Sequence, residues 1–191
     1  MMTLIYNNVI FLYITTILLI IFVFLIRSIM NFYEGFKENE LSDVKIEEIL
    51  DKMKVYDFNG IYARDELTKD EMEKGFYIFN LDDSEGMGTH WVAVYYDNVF
   101  PSIYFDSYGF PPPIEIEQLI TPYIYNKKVI QDLNSSSCGY FCIAFIDFIN
   151  DNKRRNLYHT FEAFINIFDD KDTKKNEDML FSLLAITSKI T

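Results

Sequence analysis

The chain has 191 residues, half of them apolar and 17% aromatic, which suits one globular domain with a real core plus one attached segment and excludes a disordered tail or a fibre. Seventeen Lys and Arg against 29 Asp and Glu leave a net charge of −12, a surplus that repels phosphate and argues against tight nucleic-acid binding. Two Cys are too few for a disulfide framework, two His could form a zinc site only together with Cys138 and Cys142, and no ligand-spaced run such as DxDxDG appears, so no metal and no cofactor are expected.

The first 26 residues carry no charged side chain, and Val9 to Ile26 (VIFLYITTILLIIFVFLI) is apolar apart from Thr15, Thr16 and the Tyr13 hydroxyl. Eighteen residues of helix rise about 27 Å, close to the ~30 Å hydrocarbon layer. A cleaved signal peptide would need a basic start and a small-residue cleavage site, and neither is present. The expectation is therefore a transmembrane anchor in residues 1–30, spanning with 9–26, followed by a domain over 31–191. A single-pass membrane protein is implied. Arg27 and Lys37 follow the span and nothing basic precedes it, which favours a cytosolic C-terminal domain.

Beyond the anchor, Leu41, Val44, Ile46, Ile49, Leu50 and Met53 recur at helical spacing, predicting an amphipathic helix over 42–54 capped by Ser42 or Asp43. Strands follow at 75–81 (GFYIFNL), 90–96 (HWVAVYY) and 102–106 (SIYFD), with a turn or loop at 82–88 and a hairpin through Asp97-Asn98. The run Gly109 to Pro113 stops the sheet, and 114–120 reads as a short helix started by the last proline. Residues 127–130 are a further strand candidate. Cys138 to Asn150 is apolar around nearly its whole circumference, so it predicts a central buried helix, and amphipathic helices at 157–168 and 176–186 close the fold. The class is α+β.

Three chemically useful residues fall at element ends, where a rigid scaffold presents reacting groups. His90 opens one strand and Asp106 closes its antiparallel neighbour, so the two can meet across one ladder spacing, with the carboxylate fixing the imidazole tautomer. Cys138 opens the buried helix, where the unpaired N–H groups and the dipole favour a thiolate and offer an N–H to an oxyanion. Gln131, seven residues upstream, supplies a second oxyanion donor across the 134–137 loop. Gly139 lets a substrate backbone or a neighbouring chain segment approach the nucleophile. Each residue alone also has an ordinary explanation: a half-buried His, a turn Asp, a packing Cys. Cys142, one turn into the helix, reads as buried core, and His159 as structural.

Taken jointly, Asn80-Leu81-Asp82-Asp83-Ser84, Gly88-Thr89-His90-Trp91-Val92, Tyr104-Phe105-Asp106-Ser107-Tyr108-Gly109 and the run from Gln131 to Cys142 resemble the adenovirus-type cysteine proteases. These are maturation proteases of adenoviruses, other DNA viruses and virus-like transposons, similar in fold to the proteases that cut SUMO and related modifiers. The order His, Asp, Gln, Cys matches over about residues 75–185, with GTHW and QxxxxxxCG as its most specific parts. The resemblance implies a small antiparallel sheet packed on a central helix that carries the nucleophile, a permuted papain-like fold. It assigns catalytic roles to His90, Asp106, Gln131 and Cys138, and places Trp91 against the site as a limit on water entry. The implied substrates are peptide bonds after small residues, commonly glycine, in viral structural-protein precursors. A membrane-anchored protease removing ubiquitin-like modifiers and an inactive peptide-binding module are the alternatives. The adenovirus enzyme's DNA cofactor is not carried over to a chain of this charge.

Overall fold

The computed structural model describes residues 13–24, 27, 41–152 and 156–187. The chain divides between Asn39 and Glu40 into two units. In the first, the described residues 13–24 and 27 are helical. Among the described residues no helix is long and apolar enough to cross a membrane. The expected transmembrane anchor, and with it the single-pass membrane placement, is corrected on that finding. Residues 9–12 and 25–26 of the expected span lie outside the described residues.

The second unit starts with helix α1 (Asp43–Lys52), whose N-cap is Ser42: the Ser42 Oγ accepts the Lys45 N–H at 3.3 Å. Ile46, Ile49 and Leu50, three and four residues apart, bury one face. Five strands follow: β1 (Phe58–Ala63), β2 (Gly75–Asn80), β3 (Trp91–Tyr96), β4 (Ser102–Phe105) and β5 (Tyr123–Tyr125). They form one sheet in the order β1-β2-β3-β4-β5. Only β2–β3 and β3–β4 are antiparallel; β1–β2 and β4–β5 are parallel.

The expected small antiparallel α+β sheet is therefore corrected to a mixed α/β arrangement. Parallel neighbours need a crossover, supplied by the segment with a 3-10 turn at Lys69–Glu71 and by helix α2 (Ile114–Ile120). Strand β1 escaped the sequence pattern because none of its residues is fully buried and Gly60, at φ 125°, coincides with a register break between Phe58 and Ile61. Residues 127–130 do not pair as a strand. Their chain turns inward, and the N–H groups of Ile130 and Gln131 donate to the Ser107 carbonyl at 2.9 and 3.1 Å.

Helix α3 (Cys138–Asn152) lies against β3, with every side chain from Cys138 to Asp147 buried. Phe145 stacks on Phe105 of β4 at 5.0 Å and meets Phe161 and Phe164 of helix α4 (Leu157–Ile165) edge-on at 5.8 Å. Helix α5 (Thr173–Thr187) joins through Phe181, edge-on to Tyr140 at 5.4 Å. The opposite sheet face buries Tyr77, Phe79, Val94 and Tyr104 against Ile116, Leu119 and Ile120 of α2. Each such side chain contributes about 1.5–3 kcal/mol on burial, so both layers pin the sheet ends where β3 begins and β4 stops.

Candidate active site

His90 immediately precedes β3 and Asp106 immediately follows β4. The antiparallel register, with Ala93 opposite Phe105, brings those two ends together. The His90 Nε2–H donates to Asp106 Oδ1 at 2.8 Å. The same oxygen accepts the Tyr108 N–H at 2.8 Å, and the Tyr108 ring lies 4.8 Å from the imidazole. Asp106 is fully buried, and its Oδ2 has no hydrogen-bond partner among the described residues. Asn126 brackets its backbone: the Asn126 Oδ1 accepts the Asp106 N–H at 3.1 Å, and the Nδ2 donates to the carbonyls of Asp106 at 2.5 Å and Lys128 at 3.1 Å.

Burial disfavours a charged imidazole and is the largest single influence on His90. The hydrogen bond to Asp106, the influence of the Cys138 thiol and the charges of both outweigh it, and the ring's pKa is pushed up to about 9. The carboxylate thus holds the imidazole protonated through neutral pH. With Nε2 committed to Asp106, Nδ1 is the ring nitrogen left for the thiol.

Cys138 is the first residue of α3, buried and free of any disulfide. At that position its N–H has no acceptor within the helix and is available to an oxyanion. Cys142 is also free; burial pushes its thiol well up, and the Cys138 and Asp106 charges add to the effect. It is an inert neighbour.

Gln131 is buried under the loop that leads to Cys138. Its Oε1 accepts the Ser107 hydroxyl at 2.6 Å and its Nε2 donates to the Ser135 carbonyl at 2.9 Å. The amide is thereby oriented, with one N–H left over. Gly109, at φ 71°, closes the turn after Asp106 with a 2.9 Å bond from its N–H to the Asp106 carbonyl, which sets Ser107 beside Gln131.

Of the four residues singled out from sequence, His90 and Asp106 are bonded to each other, Cys138 acts on His90, and Gln131 is tied to the turn after Asp106 and the loop before Cys138. Trp91 donates its indole N–H to the Leu41 carbonyl at 2.9 Å, joining β3 to the start of α1. His159 lies apart on α4, exposed and 3.5 Å from Glu162. Sequence reasoning gave no role to Ser107, Tyr108 or Asn126. The first two follow Asp106 in a glycine-ended turn, a signal that was legible; Asn126 carries none.

No family model matches this chain, and no curated protein matches it. Among solved structures it is similar to the selenomethionine crystal structure of ASFV pS273R protease, at 17% identity and a TM-score of 0.43, over 68% of this chain and 66% of that one. A second crystal structure of ASFV pS273R protease is similar at 17% identity and a TM-score of 0.45, over 74% and 68% of the two chains. This chain spans about two thirds of the length of that protease.

Proposed function

We propose that this chain is a cysteine endopeptidase of the adenovirus type, cutting viral structural-protein precursors after glycine or another small residue during virion assembly. The observation that carries the enzymatic reading is the His90 imidazole, bonded at 2.8 Å to a buried carboxylate and acted on by a thiol at a helix start. The preference for small residues and the viral setting rest on the motif resemblance, GTHW and QxxxxxxCG above all.

In the proposed reaction the Cys138 thiolate attacks the scissile carbonyl carbon. The oxyanion is held by the Cys138 N–H and the remaining Gln131 Nε2–H. As the C–N bond breaks, the His90 imidazolium gives its Nδ1 proton to the leaving amine, producing a thioester. Neutral His90 then takes a proton from water, whose oxygen attacks the thioester and releases the acid and the Cys138 thiolate, restoring the thiolate–imidazolium pair. Asp106 stays ionised and holds the ring throughout.

The test is cleavage of a panel of Gly-X peptides by the full chain. Cleavage after glycine that disappears in Cys138→Ala, with the circular dichroism spectrum unchanged, is expected. Cleavage that persists in Cys138→Ala overturns the assignment.

A further inference from the structure

A groove of about 490 Å³ runs between the start of α1, strand β1 and the 82–88 loop, and ends at Trp91, the residue after His90. Its lining includes an oriented amide, that of Asn80. The Asn80 side chain is 9% exposed, and its Oδ1 accepts the N–H groups of Asp82 at 2.9 Å and Thr89 at 3.0 Å. Those two bonds fix which way the amide faces. They leave Nδ2, in the groove lining, without an acceptor among the described residues. The approach to it is kept open by Gly88, at φ 90°: a Cβ there would stand 3.0 Å from Nδ2. A donor held this way is matched by a carbonyl oxygen that comes from outside.

The groove wall carries one sign of charge. Asp43, Glu66, Asp82 and Asp83 line it and no Lys or Arg does. Backbone N–H groups hold these carboxylates in place: Val44 on Asp43, Ala63 on Glu66, Asp83 and Gly88 on Asp82, and Glu85 on Asp83. Arg64, behind the wall, is divided between Asp83 at 3.9 Å and Glu115 at 3.8 Å, so the surplus stays negative. Among the described residues no group of three or more His, Cys, Asp or Glu is arranged to hold a metal ion. The charge therefore suits an organic cation.

We propose that this groove receives the extended substrate segment adjoining the scissile bond, with Asn80 Nδ2 donating to one of its backbone carbonyls and a Lys or Arg side chain of the substrate lying along the acidic wall. The inference rests on the endopeptidase reading and adds the charge class of the substrate to it.

The experiment uses the full chain and glycine-containing peptide pairs that differ only by Lys or Glu at one position near the scissile bond. The expected result is a preference for Lys of about tenfold or more in kcat/KM at one position at least, shrinking as ionic strength rises. Asp43→Asn/Glu66→Gln/Asp83→Asn, which keeps the backbone acceptors, should bring the pair near parity. Asn80→Asp, which keeps both loop acceptors and removes the donor, should lower kcat/KM about tenfold for every peptide while leaving alkylation of Cys138 by iodoacetamide unchanged. Should the triple variant not fold, the salt dependence of the native chain decides. Equal cleavage of Lys and Glu peptides at all positions, or a Lys preference untouched by salt or by the triple variant, overturns the inference and leaves the protease reading standing. The same peptides titrated onto Cys138→Ala by fluorescence anisotropy separate the two ideas. Tighter binding of Lys peptides without cleavage by the native chain keeps the groove and removes the protease; neither binding nor cleavage removes both.

Discussion

Asp106 Oδ1 accepts the His90 Nε2–H and the Tyr108 N–H, each at 2.8 Å, so one oxygen fixes the imidazole and the turn beside it. The pH dependence follows from this arrangement. A base whose pKa is raised from 6.5 to about 9 stays protonated across that window. In the folded chain the ring's charged contacts contribute stability that is fully present below 6.5 and is lost as pH rises through about 9. In the proposed mechanism the same deprotonation removes the proton destined for the leaving amine. The kcat/KM profile should therefore fall on an alkaline limb near pH 9, and NMR of the His90 ring should titrate at the same point. A ring titrating near 6.5 contradicts the arrangement.

Replacing Asp106 by Asn keeps the shape and removes the charge. The imidazole then loses the partner that outweighs its burial, so the alkaline limb should move down by one unit or more. Activity should drop by about a hundredfold or more while some turnover remains, because the thiol and the oxyanion donors are still in place. Unchanged rates would remove Asp106 from the mechanism.

In the proposed mechanism Ser107 positions Gln131. Its hydroxyl donates to Gln131 Oε1 at 2.6 Å, and its carbonyl accepts the N–H groups of Ile130 and Gln131. Ser107→Ala removes only the first contact and frees the amide to turn its oxygen toward the oxyanion. The expected effect is a fall of about tenfold in kcat with KM little changed. In a Gln131→Ala background the same substitution should have almost no further effect. Additive losses in that double-mutant cycle would mean that Ser107 acts through general folding instead.

The residues proposed to carry chemistry are legible where they coincide with element boundaries. His90 and Asp106 flank strands whose alternation is strong, and Cys138 follows a loop rich in serine just before an apolar helix. Of their partners, Tyr108 follows Asp106 in a glycine-ended turn and is legible, whereas Asn126 owes its role to a chain crossing that no local pattern encodes. The sheet edges were missed for a related reason. The β1 segment is half-buried throughout and broken at Gly60, and β5 is three residues long, so neither offers a two-residue period to read. The apolar run before Arg27 was over-read. Its composition satisfies a hydropathy criterion, but among the described residues no helix is long and apolar enough to cross a membrane.

The two thiols should differ sharply toward an alkylating agent. Cys138 opens a helix beside a protonated imidazole, whereas Cys142 is wholly buried with its thiol pushed well up. Iodoacetamide should add once to the native chain, at Cys138, and twice after unfolding in guanidinium. Cys142→Ala should leave kcat/KM within about threefold and cost on the order of 1–2 kcal/mol through lost packing. Peptide mapping that finds native labelling at Cys142 would contradict the burial described.

Gly139 tests how closely α1 and α3 must approach. The sequence left open whether this glycine admits a substrate or a neighbouring chain segment. The structure shows a neighbouring segment: a Cβ at 139 would stand 3.1 Å from Leu41 Cβ, 3.3 Å from its Cδ1 and 3.4 Å from Ile46 Cδ1. In the first turn of a helix alanine is favoured over glycine by at most about 1 kcal/mol, while overpacking costs about 1–3 kcal/mol, so the sign depends on whether Leu41 yields. Leu41 is held, because its carbonyl accepts the Trp91 indole N–H at 2.9 Å and the next residue caps α1. Gly139→Ala should therefore destabilise the chain by about 1 kcal/mol in urea unfolding, and Gly139→Val by more than twice that. A stabilised Gly139→Ala would show instead that the start of α1 moves aside freely.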